Sequence, residues 1–214
     1  MRKMTLIDQF LAEIDQSLRT VHGRPPVTER PNPADGLPEK ADMTDAEREL
    51  AGRLMRINHA GEVSAQGLYQ GQALTARRED IRGQMQRAAM EENDHLAWTE
   101  KRIGELGSHR SHLGPFWYWG SFTIGAVAGA IGDKWSLGFV TETEHQVVRH
   151  LEEHLERLPA DDHKSRAILQ QMKEDEAHHA TVALEAGGAK LPLPVRRFLM
   201  PLMSKVMTKT SYWL

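Results

Sequence analysis

The sequence contains the pattern Glu-x-x-His twice, each time in the middle of an apolar helical face. The two pairs are Glu92 with His95 and Glu176 with His179. Residues three positions apart lie on the same side of a helix, with Cβ atoms roughly 5–6 Å apart, so both side chains of a pair can bind one ion. A buried carboxylate without a partner costs several kcal/mol. We therefore expect a cation, rather than an unpaired acid, at each pair.

Each pair follows a helix that carries one further core-facing acid. Glu62 lies 30 residues before Glu92, and Glu144 lies 32 residues before Glu176. If each half of the chain folds as an antiparallel hairpin and the halves pack around a pseudo-twofold axis, all these groups meet at the centre. A Glu from each of two helices and a Glu-x-x-His from each of the other two is the ligand set of di-iron and di-manganese carboxylate bundles. The predicted metal ligands are Glu62, Glu92, His95, Glu144, Glu176 and His179.

Other interpretations of the pattern exist. A single Glu-x-x-His is common on a solvated helix, and a core-facing Glu and His can form a structural hydrogen-bonded pair. The repetition, with an acid at a matching distance before each copy, favours the metal site. In the fourth helix a second register, Asp175 with His178, has the same spacing and stays open. Glu176 with His179 is preferred because its face is more apolar.

The remaining polar residues of these segments are given smaller roles. Glu91 and Asp94 fall away from the apolar face, so no role in the metal site is predicted for them. Because metal ligands are oriented by hydrogen-bonded neighbours, His150 and the adjacent Asn58 and His59 are candidates for that function. Six histidines outside the repeated pattern are interpreted as surface groups or as such neighbours: His59, His109, His112, His145, His150 and His154.

Composition limits the class of protein and the kind of metal. The 214 residues carry a formal net charge of -3, which gives no electrostatic reason to expect nucleic acid as a partner. There is no cysteine, which excludes disulfides, thiolate nucleophiles, Cys-ligated zinc and iron–sulfur clusters. A metal must therefore bind to nitrogen and oxygen, and mixed carboxylate and imidazole ligation suits iron or manganese.

Helical periodicity and stop signals predict four long helices and no strand. The predicted fold class is all-α: a ferritin-like four-helix bundle with a long apolar crossover between helices 2 and 3 and extra N- and C-terminal helical segments. Thr44 and Glu47 have the spacing of a capping box that starts the first bundle helix. The four helices are expected over Thr44 to about Arg77, Asp80 to Leu106, Ser136 to Leu158 and His163 to Ala186.

Three segments of the chain are distinguished by composition. Residues 1–22 form a predicted amphipathic arm, and residues 23–43 contain five prolines and form a predicted linker. Residues 44–214 form the predicted bundle, including an apolar crossover at 111–132 and an apolar tail at 190–214.

The crossover 111–132 contains no Asp, Glu, Lys or Arg and approaches the length of a membrane span. If it crossed a membrane, the two halves of the metal site could never meet, so we expect it to stay on one side. Pro115 and five glycines favour a bent or hairpin path. The aromatic side chains of the crossover and tail suit a bilayer interface, although packing on the bundle is an alternative.

Several stretches together resemble the demethoxyubiquinone hydroxylase family. They are LMRINHAGEVSAQGLYQGQ, EENDH, the Gly-rich crossover, VTETEH and KEDEAHHATVALEAGG, and the resemblance covers about residues 48–214. It implies that the six predicted ligands hold two iron ions. It also implies a monooxygenase that hydroxylates the ring of a demethoxy-polyprenyl-benzoquinol in ubiquinone biosynthesis, with O₂ as co-substrate and two external electrons. The alternative is a ferroxidase or iron-storage ferritin-like protein.

The electron donor, partners and location follow as expectations. The sequence has no G-x-G-x-x-G fingerprint, so either NADH acts as reductant without a Rossmann domain or the quinol supplies the electrons. Expected partners are a polyprenyl quinone substrate, a membrane surface, and a further copy of the chain or companion ubiquinone-biosynthesis proteins. Asp8, Glu13 and Asp15 interrupt the stretch that an export signal would need. We therefore expect a peripheral protein on the cytoplasmic side of the cell inner membrane.

Overall fold

The computed structural model describes residues 6–23, 25–39 and 43–214, and all regular structure in these ranges is helical. Residues 1–5, 24 and 40–42, which belong to the predicted arm and linker, lie outside the described residues. A short π-helical turn at Val195–Leu199 leads into the last helix. The helices are α1 Leu6–His22, α2 Asp45–Thr75, α3 Glu79–Glu105, α4 Gly114–Ile131, α5 Asp133–Arg157, α6 His163–Glu185 and α7 Met200–Ser211.

The hairpins α2–α3 and α5–α6 form the ferritin-like bundle, which confirms the predicted fold class. The capping box is present at the start of α2: the Thr44 side chain accepts from the Glu47 backbone N–H, and the Glu47 carboxylate accepts from the Thr44 N–H. Gly107 and Gly187 have positive φ and directly follow the last turns of α3 and α6. Helix α5 begins a few residues before the predicted start, directly after Gly132, whose φ of 147° ends α4.

Apolar side chains form a cluster on either side of the bundle centre. One contains Leu54, Trp98 and Leu151, and the other contains Tyr69 and Val140. On α2, Glu62 lies between Leu54 of the first cluster and Tyr69 of the second. These apolar layers exclude water from the polar centre, which strengthens every electrostatic interaction there.

The crossover forms one uninterrupted helix, α4, so the expectation of a bent or hairpin path is wrong. Pro115 lies in the first turn, where its missing N–H donor is not needed. The glycines serve close packing instead. A Cβ on Gly125 would overlap the backbone carbonyl of Leu68, and a Cβ on Gly71 would overlap that of Phe122. The backbones of α2 and α4 are therefore in direct contact.

None of the helices in the described part of the chain is both long and apolar enough to cross a membrane.

The proline-rich segment packs along the bundle. The Asn93 side-chain amide donates to the backbone carbonyl of Pro26 over 2.9 Å, and Lys101 Nζ lies 2.5 Å from Asp35 Oδ1. The division into an arm at 1–22, a linker at 23–43 and a bundle at 44–214 stays a prediction.

The contact between α2 and α4 yields a stability prediction. Gly71→Ala places a methyl group against the α4 backbone, which cannot yield as a flexible side chain does, so the free energy of unfolding is expected to fall by about 1–3 kcal/mol. Gly83, in α3, has no atom within 4 Å of the corresponding Cβ position. Gly83→Ala is the control and is expected to stabilise the protein by up to about 1 kcal/mol. Urea unfolding measures both, and equal effects would contradict the close contact.

Candidate metal centre

The six predicted ligands lie together on the inner faces of four helices. Glu62 is on α2, Glu92 and His95 are on α3, Glu144 is on α5, and Glu176 and His179 are on α6; all six are buried. The structure thus brings all six into the centre of the bundle. Their assignment as metal ligands stays a proposal.

The His95 ring directs Nδ1 towards three carboxylates. Nδ1 lies 3.0 Å from Glu92 Oε2, 3.2 Å from Glu176 Oε1 and 3.5 Å from Glu62 Oε2. One ligand atom from each of these four residues lies within 4.8 Å of all the others. That spacing allows the four groups to hold a metal ion.

The second histidine repeats this geometry on the other side of the centre. His179 Nδ1 lies 3.1 Å from Glu176 Oε2 and 3.3 Å from Glu92 Oε1. Glu92 and Glu176 therefore lie between the two imidazoles. Glu144 Oε1 accepts a 2.5 Å hydrogen bond from the Tyr69 hydroxyl. Sequence reasoning assigned no role to Tyr69, which lies two helical turns after Glu62 on the same side of α2.

The two possible registers in the fourth bundle helix differ in burial. Glu176 and His179 point inwards, whereas the His178 side chain is exposed. Asp175 is half-buried and points to the outer edge of the centre rather than towards His178.

Each buried histidine has a carboxylate on its outer nitrogen. Asp175 Oδ2 lies 2.9 Å from His95 Nε2, and Glu91 Oε2 lies 2.6 Å from His179 Nε2. The expectation that Glu91 plays no part in the site is therefore wrong. An ionised carboxylate only accepts hydrogen bonds, so Nε2 of each ring would carry a proton, and Nδ1 would be the nitrogen that gives up its proton and offers a lone pair when a metal binds. The signal in the sequence was an acid directly before each Glu-x-x-His.

Burial and mutual repulsion raise the pKa values of some of these acids, and the nearby histidines lower that of another. Burial, together with the charge of Glu92, raises the pKa of Glu62 well above its usual value. Burial and the charges of Glu176 and Glu92 do the same for the pKa of Glu144. Burial acts the same way on Glu92, but the charge of His95 and the hydrogen bonds from His179, His95 and Glu62 together outweigh it and lower the pKa of Glu92. If all four carboxylates were ionised, they would carry more negative charge than the two histidines can neutralise, and the raised pKa values of Glu62 and Glu144 reflect that excess.

The donor set fits a pair of divalent cations. Four carboxylates and two imidazoles provide oxygen and nitrogen ligands of the kind that iron and manganese accept. The buried Glu92 Oε1, although 3.3 Å from His179 Nδ1, has no hydrogen-bond partner among the residues that the structure describes. Since buried carboxylate oxygens are normally paired, this atom is suited to a cation.

The candidate neighbours lie at one side of the centre. Asn58 is buried, and its side-chain oxygen lies 2.8 Å from His154 Nδ1. Burial lowers the pKa of His154 to about 2 and that of His59 to about 3, with smaller contributions from nearby positive groups, so both rings are neutral. The His150 ring lies against His154 at a centroid distance of 3.9 Å, with the ring planes tilted by 56°.

A mostly apolar cavity of about 540 Å³ reaches the centre from between α2, α4, α5 and α7. Glu62 is the predicted ligand on its wall, next to Gly61. Four cavity-lining residues carry a buried polar atom without a hydrogen-bond partner: Asn58 Nδ2, Trp117 Nε1, Thr143 Oγ1 and His150 Nε2.

Fold and site define an all-helical, ferritin-like bundle with a buried carboxylate and histidine centre beside an apolar cavity. A family model described as "Ubiquinone biosynthesis protein COQ7" matches residues 49–211, and the chain belongs to this family. This confirms the family resemblance found in the sequence.

Named relatives cover the whole chain. A 3-demethoxyubiquinol 3-hydroxylase from Nitrosococcus oceani is 61% identical over 213 residues, covering 100% of this chain and 99% of that protein. Proteins of the same name from Nitrosomonas eutropha and Acinetobacter baumannii are 53% and 55% identical and are covered over their full length. The alignments therefore extend across the segment before residue 49.

Neighbouring histidines in α6 give a matched pair of variants. His179→Ala removes a buried imidazole from the centre and is expected to lower the iron content of the reconstituted protein. His178→Ala removes an exposed ring one position away and is expected to leave the iron content unchanged. Elemental analysis with protein quantification measures both. Loss of iron only in the His178 variant would show that the other register is correct.

Proposed function

We propose that the protein is a di-iron monooxygenase that hydroxylates the ring of a demethoxy-polyprenyl-benzoquinol in ubiquinone biosynthesis. The relatives named as 3-demethoxyubiquinol 3-hydroxylases support the reaction. The observation that carries the proposal for this chain is the apolar cavity that reaches the carboxylate centre at Glu62 and whose lining residues include several with an unpaired buried polar atom.

The residues that would hold two iron ions are those brought together at the centre. Glu92 and Glu176, which lie between the imidazoles, would help to hold the ions, and His95 and His179 would offer Nδ1 to them. When bound, the iron pair supplies activation of O₂ for insertion of one oxygen atom into the ring C–H, while the other oxygen leaves as water and an external donor provides two electrons. The site residues are Glu62, Glu92, His95, Glu144, Glu176 and His179.

The cavity suits an aromatic ring with an apolar tail. Its volume of about 540 Å³ lies within the range of roughly 300–1,000 Å³ that is usual for small-molecule sites. Apolar side chains such as Leu68, Phe139 and Val147 form most of its wall and exclude water from the reacting ring. A long prenyl chain would leave through the opening beside α4 and α7.

The unpaired polar atoms of the wall favour an oxygen-bearing ring over a hydrocarbon. Each buried donor or acceptor without a partner costs about 1–3 kcal/mol. The hydroxyl and methoxy oxygens of a quinol can accept from Asn58 Nδ2 and Trp117 Nε1, and the Thr143 hydroxyl can donate or accept. These side chains would orient the ring relative to Glu62, and their pairing would strengthen binding of an oxygenated ring.

The surface around the cavity opening suits a membrane. Phe116 and Trp119 on α4, and Phe198, Leu202 and Trp213 near α7, are exposed. The segment that holds Phe198, Leu202 and Trp213 also contains four basic residues. These residues would face anionic headgroups: Arg196, Arg197, Lys205 and Lys209. We propose that this surface rests on the cytoplasmic side of the cell inner membrane, where the quinone is dissolved.

The proposed reaction also needs an electron donor, and the exposed apolar surface could bind a protein partner. NADH is the proposed external electron donor, because the reaction consumes two electrons and the carboxylate centre has no permanent source of them. A second copy or a companion ubiquinone-biosynthesis protein would compete with the membrane for the same exposed apolar surface. A ferroxidase or iron store is not favoured by the names of the relatives, and the apolar cavity has no purpose in such a protein.

The function is tested with iron-loaded protein, a demethoxyquinol, NADH and O₂ labelled with ¹⁸O. The expected product is the hydroxylated quinol with one labelled oxygen, detected by mass spectrometry. Iron oxidation without ring hydroxylation would instead indicate a ferroxidase.

In this assay, a matched pair of glycine variants distinguishes the effect of blocking the cavity from the effect of losing the metal. Gly61 lines the cavity and Gly83 lies in α3. Beyond each glycine's own stretch of helix, no atom of the described residues lies within 4 Å of the position of a Cβ at either site. Gly61→Phe is expected to place a ring in the cavity and lower kcat/KM by more than about tenfold while iron stays bound. Gly83→Phe is the control and is expected to retain activity. Full activity of the Gly61 variant would show that the ring binds elsewhere.

Vesicle binding tests the membrane surface. Phe198 is 70% exposed, and transfer of such a side chain into an apolar phase stabilises binding by about 1.5–3 kcal/mol. Phe198→Glu is therefore expected to weaken co-sedimentation with anionic vesicles by at least about tenfold. Leu184, on α6, is 57% exposed, and Leu184→Glu should bind like the wild type. A dimer that persists without vesicles and is lost in the Phe198 variant would assign the surface to a second copy.

A further inference from the structure

Residues 25–39, here called the strap, follow α3 for about two and a half turns. The contacts advance together along both segments: Pro26 meets Asn93, Thr28 meets Asp94, and Asp35 meets Lys101. Both the backbone N–H and the hydroxyl of Thr28 donate to the Asp94 carboxylate, over 2.8 and 2.7 Å. Asp94 is buried, and these bonds satisfy a carboxylate that lies directly beside His95 in sequence.

Arg30 is the point at which the strap reaches the second half of the bundle. Its Nη2 donates to Asp175 Oδ2 over 2.5 Å, and its Nε lies 3.4 Å from Asp94 Oδ2. The guanidinium also lies over the Trp98 ring, 4.9 Å from the centroid. Two carboxylates and an aromatic face fix the plane of this side chain. The planar arginine guanidinium, whose donors have fixed directions, is suited to such a site.

The oxygen that Arg30 contacts is the same oxygen that contacts a predicted metal ligand. Asp175 Oδ2 lies 2.9 Å from His95 Nε2, and the other oxygen, Oδ1, accepts from Gln171. The Asp175 carboxylate is thus held on three sides. Its position sets the orientation of the His95 ring and so the direction of the Nδ1 lone pair at the centre.

The other predicted histidine ligand has weaker support. His179 Nε2 contacts Glu91, which is only half-buried. Within the described part of the chain Glu91 has no ion pair with an arginine or lysine, and Arg30 acts on it only at longer range, where its charge helps the bond to His179 to lower the pKa of Glu91. The two halves of the centre are therefore similar in their inner groups and different in what holds their outer carboxylates.

We propose that the strap is a positioning device for one of the two metal positions, with Arg30 acting through Asp175 to hold the His95 ring. This inference rests on the proposed metal centre. The strap precedes residue 49, where the match to the family model begins, so a segment outside the matched region completes the support of a ligand inside it. Without Arg30, the metal at His95 is held less firmly than the metal at His179.

The test uses the full-length protein carrying Arg30→Gln and reconstituted with ferrous iron under anaerobic conditions. Loss of a hydrogen-bonded partner behind a metal ligand typically costs 10–100-fold in affinity, and we expect about tenfold faster transfer of one of the two irons to a chelator. Mössbauer spectra should show one iron environment changed and the other retained. Arg30→Lys keeps the charge without the planar fork and should restore the slow rate in part.

Two further variants separate positioning from general loosening of the strap. Asp35→Asn removes the exposed contact with Lys101 at the far end of the strap and should release iron like the wild type. If Arg30 acts through Asp175, Arg30→Gln should add little to the effect of Asp175→Asn in the double variant. Thermal unfolding of each variant shows whether the bundle remains folded.

The outcomes that overturn the inference are distinct from those that overturn the function. Equal release rates for wild type and Arg30→Gln, or loss of both irons at the same rate in Arg30→Gln and Asp35→Asn, would overturn the positioning role alone. A folded wild-type chain that holds no iron after reconstitution would overturn the metal centre, and the proposed function and this inference with it.

Discussion

Repulsion among buried carboxylates is the constraint that the rest of the structure must satisfy. Glu62, Glu92, Glu144 and Glu176 are directed at one another from four helices, in a region where apolar layers on both sides keep out water. Like charges in such a medium repel strongly. The fold resists this repulsion with rigid hairpins, two imidazoles and the Tyr69 hydroxyl, and the remaining excess charge is the reason to expect cations. Helix lengths, capping and the strap all serve to keep these groups at fixed positions.

Much of this centre could be predicted from the sequence because its signals are local. Periodicity of apolar residues places Glu92, His95, Glu144, Glu176 and His179 on inner faces without knowledge of the tertiary fold. Glycine and proline mark the ends of the bundle helices for equally local reasons, and Thr44 with Glu47 marks a start. The equal spacing in the two halves then predicts that the acids meet.

The features that sequence reasoning missed depend on contacts between distant segments. The interpretation of α4 as a hairpin counted its glycines as breakers, whereas Gly125 packs against the α2 backbone and is favourable there. Glu91 lies away from the apolar face of its own helix, and only the position of α6 shows that it meets His179. Arg30 lies in a proline-rich stretch whose composition predicts a linker and carries no information about Asp175.

The backbone contact between α2 and α4 also constrains one wall of the cavity. Gly71 and Gly125 lock these two helices so closely that neither can slide or tilt against the other without a carbonyl clash. The last turn of α7 is tied down as well, by Arg56 at the Tyr212 carbonyl and by a backbone bond from His112 to Leu214. The part of the cavity wall that α2 and α4 form is therefore closely packed, and the end of the chain after α7 is fastened both to α2 and to the segment that leads into α4.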